Sequence, residues 1–174
     1  MKIILRAIIF LALAISFQAN ADTLAGKVIG VSDGDTVTLL SQDKQQIKVR
    51  LAAIDAPEKA QAFGQRAKQH VSDLCFGKQA EVKVIDTDRY GRSVGEVSCD
   101  GVFANAEMIK AGMAWVYRKY SKGYVAFFPL EEEARVARRG LWSDTDPVAP
   151  WEWRKSLLFA TVCKVSQYFV SQLP

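Results

Sequence analysis

The chain has 174 residues, with 23 Lys and Arg against 19 Asp and Glu, one histidine and three cysteines. That length suits a single domain with its own core and leaves no room for two comfortable ones, and so small a basic surplus does not by itself predict a nucleic-acid partner. A lone histidine and three scattered cysteines argue against a zinc centre.

In chain order, Lys2 and Arg6 lead into an apolar run from Ala7 to Phe17. The small-x-small triplet Ala19-Asn20-Ala21 follows, the pattern of a signal peptide cleaved after Ala21. The run is shorter than the ~20 apolar residues of a membrane span. Export is therefore expected, to a periplasm or out of the cell, with residues 1–21 removed, residues 22–146 forming the domain and residues 147–174 a tail. The leader takes two basic groups and no acid with it, leaving 21 against 19, so any phosphate-binding argument must rest on where the arginines sit.

Three strands in a meander come first: 26–31, 36–40 and 46–51, rich in β-branched residues and punctuated by Asp33-Gly34 and Ser41-Gln42-Asp43-Lys44. Pro57 then blocks any continuation. Spacings of three and four among Ala67, Val71, Leu74 and Cys75 mark a helix from about Phe63 to Cys75, stopped at Gly77. Two further strands, 80–85 and 93–99, flank the polar loop 86–92. Helices are expected over 105–111 and from about Pro129 to Arg139, the second with acids near its start and arginines near its end, as the helix dipole favours. Glu131 to Glu133 read as its solvated first turn. Five strands and about three helices describe an α+β fold built on an OB-type barrel. Residues 144–150 read as a linker, and the tail beyond is apolar enough to dock on the domain or a partner but too interrupted to span a bilayer.

In an oxidising compartment two of Cys75, Cys99 and Cys163 are expected to pair. Cys75 with Cys99 would close a modest loop worth ~3 kcal/mol by the chain-entropy model. Three buried free thiols are the alternative.

The chemistry lies in short clusters. Asp33-Gly34-Asp35-Thr36 and Asp55-Ala56-Pro57-Glu58 bracket Arg50, and Arg92 closes Asp88-Arg89-Tyr90-Gly91-Arg92. Carboxylate oxygens suit Ca²⁺ or Mg²⁺, and guanidinium groups grip phosphate and stabilise charge developing on it. Phosphodiester hydrolysis needs both. Alone, Asp33-Gly34 is more readily an ordinary turn, and Asp55 to Glu58 an ordinary strand-to-helix connection.

In this order and at these spacings, the clusters resemble those of the staphylococcal nuclease family, the thermonucleases, over roughly Thr23 to Ser143. The resemblance implies an OB barrel and a Ca²⁺-dependent endonuclease of micrococcal-nuclease type, acting on DNA and RNA with little sequence preference and leaving 3′-phosphate ends. Carried over residue by residue, it places the metal on Asp35, Asp55 and the backbone carbonyl of Ala56, where the family commonly has Thr. Glu58 becomes the general base, Arg50 and Arg92 the phosphate-holding pair, Arg89 and Tyr90 neighbours of a terminal phosphate, and Tyr117 a candidate base-stacking ring. The loop from Lys59 to Phe63 is short where the staphylococcal enzyme carries a longer basic one, and the tail after Pro147 has no counterpart there. A monomer is expected. The competing reading is a non-catalytic OB-type nucleic-acid-binding module, which has no need of Glu58 with both arginines.

Overall fold

The structure, a computed structural model, describes residues 23–159. The leader with its cleavage site and the end of the tail with Cys163 lie outside the described residues.

Three antiparallel strands open the fold, β1 (Thr23–Asp33), β2 (Thr36–Ser41) and β3 (Gln46–Leu51). A two-residue strand β4 (Ile54–Asp55) and helix α1 (Gly64–Cys75) follow, and then the hairpin of β5 (Gln79–Thr87) and β6 (Ser93–Cys99). β1 also pairs with β5, and β3 pairs in parallel with β6, so β1-β2-β3-β6-β5 closes on itself as a five-stranded barrel. Closure removes the free edges that a five-stranded sheet would otherwise expose. Short β7 (Val102–Phe103), helix α2 (Ala104–Lys110), β8 (Trp115–Val116), a 3₁₀ turn at Arg118–Tyr120, helix α3 (Phe127–Val136) and a 3₁₀ turn at Gly140–Ser143 complete the domain. A fourth helix, α4, runs from 150 to the last described residue, 159. The molecule is thus the expected α+β fold of OB type, with one helix among the described residues beyond the three read from the sequence.

Val28, Val37, Leu39, Val49, Leu51, Val82 and Val97 are buried inside the barrel. Each fully buried side chain of this kind contributes ~1.5–3 kcal/mol relative to exposure. Helix α1 covers one mouth with Ala67, Val71 and Cys75, four residues apart and fully buried. A disulfide joins Cys75, at its last turn, to Cys99 at the end of β6. β1 is longer than its sequence suggests, because register shifts near Gly30 and Val31 bend it so that its two halves serve β5 and β2 in turn.

Helix α3 starts at Phe127, ahead of the expected Pro129, which its first turn tolerates because no N–H is needed there. Glu131 lies on the buried face of this helix with Phe127 and Ala134, at spacings of four and three, contrary to a solvated reading. Glu131 is 2% exposed and accepts hydrogen bonds from the backbone N–H of Val116 and from the Arg118 guanidinium. His70, read as solvated, is half-buried on α1, and burial holds its imidazole below the ordinary range.

Candidate active site

Strand register brings the separated clusters together. In the β2–β3 pair Thr36 lies opposite Arg50, so Asp35, one residue before, comes within reach of the guanidinium. The parallel β3–β6 pair sets Arg50 across from Val94 and Val49 across from Ser93, which carries the preceding Arg92 to the same end of the barrel. After β3 the chain turns through Ala53 at φ 62°, a left-handed conformation rare for residues other than glycine, and this aims β4 and Asp55 back at the barrel end. The turn is pinned by the fully buried Asn105, whose amide donates to the carbonyls of Ala52 and Gly95 and accepts from Val97 N–H.

The result is one charged network. Arg50 donates to Asp35 Oδ1 at 2.8 Å and to Asp55 Oδ1 at 2.9 Å. Thr36 Oγ1 donates to Asp35 Oδ1 at 3.0 Å and accepts from Arg92 at 3.2 Å. Arg92 is oriented by Asp88, to which its Nε donates at 2.7 Å. Burial works against the Asp88 charge, but hydrogen bonds from the backbone and side chain of Arg92 and from Tyr90 N–H hold its carboxyl below the ordinary range. Asp35 and Asp55 are 3% and 1% exposed, so their charges depend on these partners. Burial, opposed chiefly by Arg50, pushes the Asp35 carboxyl up to about 7.

Two glycines make room for this arrangement. A Cβ on Gly34 would lie 2.6 Å from the Ala56 side chain and 2.7 Å from that of Ala67, so the Asp33-Gly34 turn can nest against helix α1 only without one. A Cβ on Gly64 would lie 1.9 Å from the Glu58 carbonyl oxygen, so the first residue of α1 fixes the path of the chain that presents Glu58.

Glu58 sits beside Asp55 and is half exposed; its backbone N–H donates to Gln61. The structure therefore gathers Asp35, Arg50, Asp55, Ala56, Glu58 and Arg92. Arg89 and Tyr90 stand outside the network on an exposed turn. There Arg89 hydrogen-bonds the Tyr90 hydroxyl, and the Tyr90 N–H bond to Asp88 and a cation–π contact at 5.5 Å from Arg92 to the Tyr90 ring link them inward. Tyr117 is held near the site through the β4–β8 pair, in which Asp55 faces Trp115 and Tyr117 N–H bonds to Ala53 O.

A residue that no motif indicated completes the picture. Arg154, from α4, donates from Nη2 to Asp55 Oδ2 at 2.6 Å and from Nη1 to Glu58 Oε1 at 2.6 Å and Asp55 Oδ1 at 3.3 Å. Trp151, one helical turn earlier, stacks on Tyr117 with ring centroids 5.6 Å apart and planes within 7°.

The donor set fits a hard divalent cation. It consists of two buried carboxylates and the main-chain carbonyl of the residue after Asp55, oxygens throughout. A guanidinium already lies across Asp55 and Glu58, so their oxygens face outward toward positive charge. Among the described residues no three His, Cys, Asp or Glu side chains converge as a metal cage, so water and substrate would have to complete such a shell.

Residues 48–144 match the family described as Staphylococcal nuclease homologue. The chain belongs to that family. A Shigella flexneri protein named micrococcal nuclease is 43% identical over 159 residues, covering 86% of this chain and 90% of its own. The protein ParB of Escherichia coli is 43% identical over 161 residues, covering 87% and 90%. An uncharacterized endonuclease of Haemophilus influenzae is 39% identical over 154 residues, covering 88% and 85%. In this staphylococcal nuclease homologue, the match spans Arg50, Glu58 and Arg92 but begins after Asp35, which the barrel register supplies.

Proposed function

We propose that this protein is an exported, calcium-dependent endonuclease that hydrolyses DNA and RNA with little sequence preference and leaves 3′-phosphate ends. The observation that carries the reading is the single network joining Asp35, Arg50, Asp55 and Arg92 from four separate segments, with Glu58 beside it. Family membership and the relatives named as nucleases support the same class.

Glu58, half exposed beside Asp55, is the group to take a proton from the attacking water once Arg154 releases it. As the water oxygen bonds to phosphorus and the bond to the 5′ oxygen breaks, negative charge gathers on the phosphoryl oxygens. Arg50 and Arg92 hold fixed N–H donors toward that charge. A guanidinium carries five such donors, so Arg50 can keep both aspartates and still bind phosphate. The leaving 5′ oxygen takes up a proton from solvent, and the phosphate remains on the 3′ side. Calcium held by Asp35, Asp55 and the Ala56 carbonyl would supply Lewis-acid stabilisation of the same oxygens. Stacking on Tyr117 is worth ~1–3 kcal/mol per base and does not depend on which base it is; Arg89 and Tyr90 would flank a terminal phosphate.

The leader pattern supports export, and the Cys75–Cys99 bridge suits an oxidising compartment.

The test is hydrolysis of single-stranded DNA and of RNA by the purified chain with Ca²⁺, with Mg²⁺ and with chelator, the product ends being read by whether they need a phosphatase before 3′ extension. Cleavage of both polymers that requires Ca²⁺ and yields phosphatase-dependent 3′ ends is expected. Binding without cleavage in every condition would overturn the reading in favour of a non-catalytic OB-type module.

A further inference from the structure

We propose that the segment from Val148 into helix α4 is an internal substrate mimic. It places Trp151 where a nucleobase would stack and Arg154 where a cation would sit, so that cation and nucleic acid must displace it. The inference rests on the reading of the site given above.

The strap is built for that placement. Gln61 ties its start down, donating to Val148 O at 2.6 Å while accepting from Glu58 N–H, so the anchor of the strap is the residue that also steadies Glu58. Pro150 is the first helical residue, a position that lacks any need for an N–H. Trp151 and Arg154 then lie three residues apart on one helix face. That face turns to the cleft, the tryptophan parallel to Tyr117 and the guanidinium across Asp55 and Glu58.

The direction of the guanidinium decides between mimic and phosphate grip. Both terminal nitrogens of Arg154 are spent on carboxylates, and three hydrogen bonds run to Asp55 and Glu58. In this pose Asp55 has both oxygens occupied, one by Arg50 and Arg154 and the other by Arg154 alone. A cation on Asp55 and the Arg154 pair are therefore mutually exclusive, and Glu58 cannot accept a proton freely while it is held. A base arriving at Tyr117 meets Trp151 already stacked there. Release is within reach of a ligand at the Glu58 end, where Arg154 and Glu58 are each 39% exposed and ion pairs so exposed contribute little net stability, while at the buried Asp55 end an arriving cation would take over the charge that Arg154 gives up.

The closed strap should lower apparent affinity by the fraction of molecules that are open, about tenfold if one molecule in ten is open. The experiment uses the full chain and its Arg154→Gln and Trp151→Ala variants. Calcium binding is followed by calorimetry, and binding of a short single-stranded oligodeoxynucleotide in chelator, where no cleavage occurs, by anisotropy. Arg154→Gln should bind calcium about tenfold more tightly, and Trp151→Ala should bind the oligonucleotide more tightly. Calcium should also change the tryptophan fluorescence of the parent chain more than that of Trp151→Ala. Unchanged calcium affinity in Arg154→Gln overturns the proposal, as does weaker oligonucleotide binding by that variant, which would make Arg154 a phosphate-binding residue. Asp55→Asn separates the two levels: loss of calcium binding in this variant with no gain in Arg154→Gln rejects the strap alone, whereas calcium binding that survives Asp55→Asn rejects the reading of the site itself and the strap with it.

Discussion

Two halves of the site are held in different ways. Asp35, Arg50 and Arg92 are fixed by barrel register and Asp55 by the short β4–β8 pair, with the two aspartates buried and Arg50 clamped between them. Glu58, Tyr117, Trp151 and Arg154 sit on loops and on α4, with ion pairs and ring contacts that are half open to water. The first set cannot move without opening the barrel or breaking the β4–β8 pair, while the second can exchange partners within an intact fold. Rigidity is thus reserved for the groups that must meet a phosphate in one geometry, and exchangeability for those that must admit and release a polymer.

The sharpest way to break this contrast is at Arg50. Arg50→Ala should leave the buried Asp35 carboxylate without its guanidinium and Asp55 with Arg154 alone, lowering stability by ~3 kcal/mol. It should also reduce turnover by ~10²–10³-fold, because one fixed donor to the transition state is lost. Thermal unfolding and steady-state rates measure both effects. Arg50→Lys should recover much of the stability and little of the rate, since the charge remains and the planar fork does not.

Reduction of the Cys75–Cys99 bridge is expected to lower stability by ~3 kcal/mol while leaving the rate at saturating substrate near its parent value, because the bridge ties α1 to β6 away from the charged network. An equal loss of rate in denaturant-free buffer would contradict the separation of frame and chemistry. Asn105→Ala should weaken the fold by ~1–3 kcal/mol, since it takes the amide donor from the buried Ala52 carbonyl and the side-chain acceptor from Val97 N–H, while the Gly95 carbonyl keeps Ala52 N–H. Through the Ala53 turn it should weaken calcium binding as well. Calcium affinity equal to the parent's would show that the turn positions Asp55 without Asn105.

The smallest effect concerns pH. Burial keeps His70 neutral in the fold below its ordinary value of 6.5, so the unfolded chain binds the extra proton first. Its contribution is complete above 6.5 and is lost as pH falls through that value toward the folded one. The melting temperature of His70→Gln should fall less steeply than the parent's on acidification from neutrality, and parallel curves would remove His70 from the account.

Much of this was legible in the chain because it is local. β3 and β6 begin and end where turn residues bound an alternating run, and both match their sequence-read limits. The carboxylate and arginine clusters are short and lie at strand ends, where a barrel gathers them. What escaped is what distant pairing decides. No local period announces the parallel β3–β6 closure, which brings Arg92 round to Arg50. Glu131 looked solvated because it stands in a run of three acids, but it shares a helix face with the buried Phe127 and Ala134, and packing of that face brings it to Val116 and Arg118. Asn105 and Arg154 carried no motif. The one available hint of Arg154 was its spacing of three from Trp151 just after Pro150, which would place both on a single helix face.

The most direct test of the central claim is Glu58→Gln, which exchanges the proposed base for an uncharged side chain of the same shape. Calcium and oligonucleotide affinity are measured beside single-turnover cleavage of single-stranded DNA. The account predicts that both affinities hold or improve, since Arg154 loses one of its two carboxylates, while the cleavage rate falls by ~10²–10⁴-fold. A cleavage rate equal to the parent's would contradict it and remove Glu58 from the chemistry.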